Sequence, residues 1–499
     1  MLTPDFEQFC RLWGAYDSVP LGYTMLSDRE TPVTLYARMA RRGALPFLLE
    51  SVEGNEQHAR YSFLGCNPRE RIELRHGSGA WREDLVLGTR EPIPDIFTCL
   101  EGLSHDRGAP PVPGLPPFTG GALGYVAYEA VSLMEDVDVL GAVPDGSPLL
   151  SFLVYDTVFA FDHLKHTLTI ATHARGDGTA AEAHARALAA LETAKEILLE
   201  PAEIAPLDYP EGFARRREPA STARSGFSRE DFEAAVTASK EHILAGDIFQ
   251  VVLSRRLECS LDGRSPLDIY RILRLLNPSP YMYLLDTGGL TILGTSPEAL
   301  VKVTDGVAEV MPIAGTRRRG ADEADDAEMA RELLDDEKEN AEHVMLVDLA
   351  RNDLGRVCEY GSVAVAEFRR VERYSHVMHL VSRVQGRVRE GVTPVGVFRS
   401  CFPAGTVSGA PKIRAMQIIE ELEPLPRGVY AGAIAYLSFT GNLDSCIAIR
   451  TMLVRDGVAF VQAGAGIVAD SVPAREYQET VSKAGALLSA VEAAPGRRS

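Results

Sequence analysis

The stretch "DSCIAIRTMLVRDGVAFVQAGAGIVAD", residues 444–470, reads as two apolar strands folded back on one another. Its turn, Arg455–Gly457, carries an Asp-Gly pair, residues that tolerate the backbone of a tight hairpin. So short a turn joins antiparallel neighbours, since parallel strands need a crossover of about a dozen residues. Similar hairpin turns are predicted at Asp286–Gly289 and Thr440–Asn442. Strands that outnumber helices and meet at short turns give an α+β chain: antiparallel sheets with helices packed on the outside, not a doubly wound parallel sheet.

Working outward, "LPFLLESVE" (45–53) and "SFLVYDTVFAFDH" (151–163) are predicted strands, rich in β-branched and aromatic residues. The Pro/Gly-dense "GAPPVPGLPPFTGGALGY" (108–125) between them is a loop, and residues 1–170 show little sustained helical period. A helix is predicted over 179–200, rich in Ala, Glu and Leu. Ser228-x-x-Asp231 opens another that Gly246 stops, followed by a strand in "DIFQVVLSRRLE" (247–258). Further helices are predicted over 265–276, 325–353, 410–422 and 473–492, and there is no internal repeat. The breaker-rich segment near 201–227 divides an N-terminal domain, 1–200, from a second domain, 228–493.

With 499 residues the chain is too long for one simple core, so two large domains or two intimately joined halves are expected. Its net charge of −19 argues against broad binding of nucleic acid or anionic membranes, which rests on basic surface. No apolar run reaches the ~20 residues of a membrane span, and the N-terminus has no charged-then-apolar signal pattern. The seven cysteines are scattered and never in C-x-x-C spacing, which points to reduced thiols and a cytoplasmic protein.

Several stretches carry chemistry. In "DEKENAEHVMLVDLARNDLGR" (335–355), Glu339 and Glu342 lie three apart on one helix face. The last helix begins near Pro473 and places Glu476, Glu479 and Lys483 on one side. Converging carboxylates repel unless a cation sits between them, and Mg²⁺ suits such hard oxygen ligands; a solvated helix surface is the ordinary alternative. Gly464 and Gly466 precede the last helix, where small residues let backbone N–H groups approach an anion. In "FPAGTVSGAPKIRAM" (402–416), Thr406 and Ser408 either cap a helix, the simpler reading, or touch a ligand. Arg450, inside the predicted strand "DSCIAIRTMLV", needs a buried carboxylate or an anionic ligand. Glu298 follows a Ser-Pro turn in "LGTSPEAL", either pointing into a cleft or starting a helix. His379 sits in the strand-like "HVMHLVSRV".

In order along the chain, "PIAGTRRRG", "AEHVMLVDLARNDLGRV", "FPAGTVSGAPKIRAM" and "AGAGIVADSVPAREYQET" resemble the chorismate-binding enzymes, and within them component I of anthranilate synthase. The resemblance runs from about Leu48 to Lys483 and is strongest over 228–485. It implies a four-layer α/β/β/α sandwich. It also implies that Glu342 and Glu479 ligate Mg²⁺, assisted by Glu339 and Glu476. Tyr430, Arg450, Gly464, Ala465, Gly466 and Lys483 would hold the carboxylates of chorismate, with Gly315 and Thr316 on the other side. Thr406 and His379 would complete the pocket, and Glu298 would be the acid that helps the C4 hydroxyl leave.

Two positions separate family members. Aminodeoxychorismate synthases resemble this chain but carry Lys where Ala314 stands, and isochorismate and salicylate synthases carry Lys where Gln250 stands. Ammonia addition is the chemistry left, giving anthranilate and pyruvate by way of aminodeoxyisochorismate. A phenazine-type enzyme that stops before pyruvate loss, and a non-catalytic tryptophan-sensing subunit, are the further alternatives. With no Cys-centred glutaminase elbow in the sequence, ammonia is expected from a glutamine amidotransferase partner in a hetero-oligomer. By the same resemblance, "LLES" (48–51) and "NPSPYMYL" (277–284) would bind L-tryptophan as feedback inhibitor, through Ser51, Pro280, Tyr281 and Met282.

Overall fold

The computed structural model describes residues 1–51, 60–104, 108–137, 146–208, 223–320, 322–373 and 377–496. Among these, the strands form two twelve-stranded antiparallel sheets. The last two residues of the predicted strand 45–53 and most of the predicted linker 201–227 lie outside the described residues. Both sheets draw strands from before and after that linker. Phe47–Glu50 pairs with Tyr281–Asp286 in one sheet, and Gly121–Val126 pairs with Ala433–Ser438 in the other. The two segments are therefore joined by backbone hydrogen bonds within both sheets.

Period-two alternation sends side chains to opposite faces of each sheet, and both faces are covered. Between the sheets lie Phe47, Phe118, Tyr155, Ile292 and Ile434. The outer face of the first sheet packs Leu257 and Leu284 against Leu191, Leu273 and Leu487 from helices Ala180–Leu199, Pro266–Leu276 and Pro473–Ala493. The outer face of the second packs against Phe97, Val347 and Phe398 from three further helices. Each such large side chain contributes about 1.5–3 kcal/mol on burial. The layers are helix, sheet, sheet, helix: the four-layer sandwich that the resemblance implies, with the antiparallel sheets and outer helices expected from the hairpins. Among the described residues no helix is long and apolar enough to cross a membrane.

The predicted hairpins at 286–289, 440–442 and 455–457 each join paired strands. Gly246, at φ 84°, ends the helix Arg229–Ala245. The single helix predicted over 325–353 is instead two, Glu323–Asp335 and Glu337–Gly355. The break is at Asp336, whose carboxylate accepts from the backbone N–H groups of Lys338 and Glu339, both at 3.0 Å. An acid that captures its own backbone donors starts a new helix. The N-terminal segment, read as poor in helix, also holds Phe6–Leu12, Pro32–Arg42 and Ile96–Glu101. Thr31 and Thr34 cap the second of these reciprocally.

Three of the chain's passages between the sheets fall in stretches singled out from the sequence. "SFLVYDTVFAFDH" is two strands, Leu150–Tyr155 in one sheet and Thr157–Asp162 in the other. Thr291–Ser296 and Ala299–Thr304 likewise belong to different sheets, with Glu298 between them. Arg450 is not inside a strand: the run breaks between Leu443–Ile447 and Thr451–Arg455, which lie in different sheets, and Arg450 has φ 49° at the passage. The second and third passages are bonded side by side, Ile447 N–H to Glu298 O at 3.0 Å and Thr295 N–H to Arg450 O at 3.1 Å.

Candidate active site

These two adjoining passages form the floor of a cavity of about 280 Å³. Glu298 and Arg450 both line it, and so do Gly315, Thr316 and His379 from the second sheet. Thr406 comes from the one-turn helix Gly405–Ser408, Tyr430 from a turn, Gly464 and Gly466 from the strand Val458–Ile467, and Glu342 and Lys483 from two longer helices. Eleven residues singled out from the sequence thus meet in one place. Ala465 is not among the lining residues: strand alternation turns its methyl group into the core beneath helices Arg229–Ala245 and Lys412–Leu422.

Each wall has a local cause. The strand Ile313–Arg318 loses register between Ala314 and Arg317, so Gly315 and Thr316 bulge off the ladder. Gly315 has φ 66°, and a Cβ there would lie 2.8 Å from Leu333 and 3.1 Å from Glu339 Oε2. His379 Nδ1 lies 2.8 Å from the Gly315 carbonyl, which can only accept, so Nδ1 carries the ring proton. Burial pushes the imidazole below its usual range, so the ring is neutral near pH 7. Gly464 is required by contact: a Cβ would come within 2.6 Å of the Tyr430 hydroxyl and 2.8 Å of Leu253 O. Gln250 reaches across Gly466, its Nε2 2.9 Å from where a Cβ would stand.

The charges divide by role. Burial pushes the Glu298 carboxyl up to about 7, against the opposing pull of the Thr406 hydroxyl, 2.9 Å away, and of Lys483. A carboxyl so placed is divided between its two forms near neutral pH and can give up a proton there. Thr406 is therefore a partner of Glu298, and neither it nor Ser408 caps the helix Lys412–Leu422, whose N-cap is Pro411. Arg450 donates to the neutral amide of Asn277 at 3.0 Å, and no carboxylate among the described residues pairs with it. A half-buried cation with only a neutral partner among the described residues is suited to an anionic ligand. Lys483 donates to Gly464 O at 3.0 Å and to Glu479 at 2.7 Å.

Burial raises the Glu342 carboxyl, and the charges of Glu339 and then Glu479 raise it further. Burial also raises Glu476, as does Glu479. Carboxylates from the two helices therefore act on one another's charge. Arg317 meets Glu339 at 3.3 Å, and Lys483 meets Glu479. Among the described residues, no three His, Cys, Asp or Glu groups are gathered tightly enough to hold an ion by protein atoms alone. The donor set fits Mg²⁺ nonetheless, since that ion takes one or two carboxylates and fills its shell with water and substrate oxygens.

The family model for chorismate binding enzymes matches residues 47–489. The chain belongs to the chorismate-binding enzyme family. Over 99% of its length it is 46% identical to anthranilate synthase component 1 of Acetivibrio thermocellus, covering 99% of that protein. It is 44% identical to the component 1 of Pseudomonas aeruginosa, covering 97% of this chain and 98% of that one. It also matches the crystal structure of anthranilate synthase component I from Streptococcus pneumoniae with a TM-score of 0.74 and 40% identity, over 86% of this chain and 92% of that one.

A second cavity of this chorismate-binding enzyme, about 150 Å³, lies between the sheets and is lined by Ser51, Pro280, Tyr281 and Met282. The two segments that supply them are neighbouring strands, with Met282 opposite Glu50. The Met282 side chain packs into the core on the helix side of its sheet. The Ser51 hydroxyl is buried without a hydrogen-bond partner among the described residues. Pro297 and Ile313 line both cavities. Val252 and Gln462, which line the first cavity, and Asn277, which holds Arg450, are site residues that no motif in the sequence marks. Nothing local in their surroundings distinguishes them, since each arrives from a different part of the fold.

Proposed function

We propose that this chain converts chorismate and ammonia into anthranilate and pyruvate, by way of aminodeoxyisochorismate. The observation that carries the reading is an acid able to carry a proton near neutral pH and an arginine with no carboxylate partner among the described residues, both facing one cavity: Glu298, with its carboxyl near 7, and Arg450. Chorismate is a dianion with a poor leaving group at C4. Arg450 and Lys483 hold its carboxylates. Glu298 gives its proton to the C4 oxygen as the C4–O bond breaks, so water leaves rather than hydroxide. The ring double bonds shift, and the nitrogen of ammonia bonds to C2. Loss of the C2 proton and of the enolpyruvyl group as pyruvate leaves an aromatic ring. His379, held neutral, is chemically able to accept that proton. Mg²⁺ held by Glu342 and Glu479, with Glu339 and Glu476 assisting, would supply positive charge at the ring carboxylate. Ala314 at the cavity wall supports this chemistry over formation of a covalent lysine adduct.

Ammonia comes from a glutamine amidotransferase partner, and the second cavity takes L-tryptophan, its buried Ser51 hydroxyl available to the amino-acid head group. Tryptophan inhibits by favouring an arrangement that binds chorismate less well, and the walls shared at Pro297 and Ile313 support that coupling. The test is product analysis from chorismate, Mg²⁺ and ammonium, with and without tryptophan. Anthranilate is expected; isochorismate or aminodeoxychorismate as the end product refutes the reading. The isolated chain is expected to use ammonium but not glutamine.

A further inference from the structure

Arg427 is 2% exposed, far from solvent for a charged side chain. Its guanidinium makes a fork on Glu423, Nη2 to Oε1 at 2.6 Å and Nε to Oε2 at 3.0 Å. The remaining donors go to two backbone carbonyls, Nη1 to Val407 O at 2.7 Å and Nη2 to Val252 O at 2.6 Å. Val252 and Val407 both line the large cavity, from opposite sides of the chain's path. The guanidinium also lies over the rings of Tyr128 and Tyr430, 4.7 and 5.7 Å from their centroids. Glu423 in turn accepts from Ser254 N–H at 2.7 Å and from its hydroxyl at 3.0 Å. The Ser254 hydroxyl accepts from the Gln462 amide at 2.8 Å, which sets a further cavity residue. Glu129, from the N-terminal segment, accepts the backbone N–H groups of Arg427 and Gly428.

Resting on the function proposed above, we infer that Arg427 is a positioning residue for the reaction: its buried pair with Glu423 holds the Val407, Val252, Tyr430 and Gln462 walls in register around the substrate. Val407 follows Thr406, so the Arg427 bond to the Val407 carbonyl fixes the turn from which Thr406 reaches Glu298. A buried ion pair is a poor route to stability, because desolvation offsets its attraction. What it does supply is direction: a planar fork with donors in three directions at once. Lysine offers the same charge from a single point and cannot reach Glu423 and both carbonyls together.

The test uses the full chain with chorismate, Mg²⁺ and ammonium. Formation of anthranilate by the parent is measured first; its absence overturns the function proposed above, and the inference is judged only on a parent that is active. Arg427→Lys is expected to fold, by circular dichroism, and to lose about tenfold or more in kcat, the rate equivalent of one charge-assisted hydrogen bond. Its kcat–pH profile is expected to extend to higher pH, because Thr406 no longer steadies the Glu298 carboxylate. The other charged or titratable groups among the described residues that face Glu298 are Lys483, Glu342, His379, Tyr430 and Arg450 around the cavity, and Asp353 and Cys401 behind it. None of them is altered. Ser254→Ala leaves every charge in place and removes the hydroxyl's links to Gln462 and Glu423, while the Ser254 N–H bond to Glu423 remains; a several-fold higher KM for chorismate with kcat retained is expected. A folded Arg427→Lys enzyme with the parent's kcat and pH profile overturns the inference. If that variant does not fold, an unchanged KM in Ser254→Ala overturns it.

Discussion

Replacing Thr406 by Val removes one hydrogen-bond donor and keeps the shape of the side chain. The lost bond is the 2.9 Å contact to Glu298 in the wall of the cavity. A hydrogen bond to a charged group is worth about 1.5–3 kcal/mol, and about 1.4 kcal/mol is one pKa unit. The bond stabilises the carboxylate, so its loss leaves Glu298 protonated to higher pH. From a carboxyl near 7, the alkaline limb of kcat is expected to move up by roughly 1–2 pH units. The assay is the initial rate of anthranilate formation across pH at saturating chorismate. Free ammonia must be held constant at each point, because ammonium itself titrates on the alkaline side. A limb that stays in place or moves down refutes the assignment of Glu298 as the acid tuned by Thr406. A higher KM with the limb unmoved would make Thr406 a substrate contact only.

Burial raises the carboxyls of both Glu298 and Glu129 from the ordinary 4.5 to about 7. The folded state then holds these protons more tightly than the unfolded chain. Stability is present in full below about 4.5 and falls as pH climbs to about 7, by at most about 3 kcal/mol per group. Urea unfolding of the parent and of Glu298→Gln across that window is expected to show a shallower decline in the variant; parallel declines refute it. Gly464→Ala places a methyl group against the Tyr430 hydroxyl and the Leu253 carbonyl. A loss of about 10- to 100-fold in kcat/KM for chorismate is expected, with unchanged kinetics as the contrary result. Ser51→Phe fills the second cavity, so inhibition by tryptophan should vanish while turnover persists; an unaltered inhibition curve removes Ser51 from that site.

Features set by short-range pattern were legible in the sequence. The Asp-Gly turn at 456–457 and the period of the flanking strands make an antiparallel ladder in any context. The i, i+3 carboxylates of the two helices were legible for the same reason, because helical geometry alone puts them on one face. The places where the chain changes sheets were not legible. The run around Arg450 has continuous strand character, and only the partners on each side decide that it is cut at residues 448–450. That error hid the best reason for Arg450 to be functional, since it stands beside Glu298 at a shared joint. Arg427 was overlooked because "PLPRGVYAG" reads as a surface loop with a charge in it. Its burial comes from Glu423, Val252 and Glu129, and the last of these lies 298 residues away along the chain. The split at Asp336 was missed because three acids in a row look like helix, and only the geometry of one side chain shows it capturing the backbone.

The weaving of both sheets from two separate stretches of chain has a bearing on how the molecule could be taken apart. A nick between residues 208 and 223 would leave two fragments, and each would expose raw ladder edges at Phe47–Glu50 and Gly121–Val126 or at their partners Tyr281–Asp286 and Ala433–Ser438. Such edges are sticky in isolation. The fragments would be insoluble apart and would regain shape only by zipping both seams at once, which makes the polypeptide a natural scaffold for a two-piece complementation reporter.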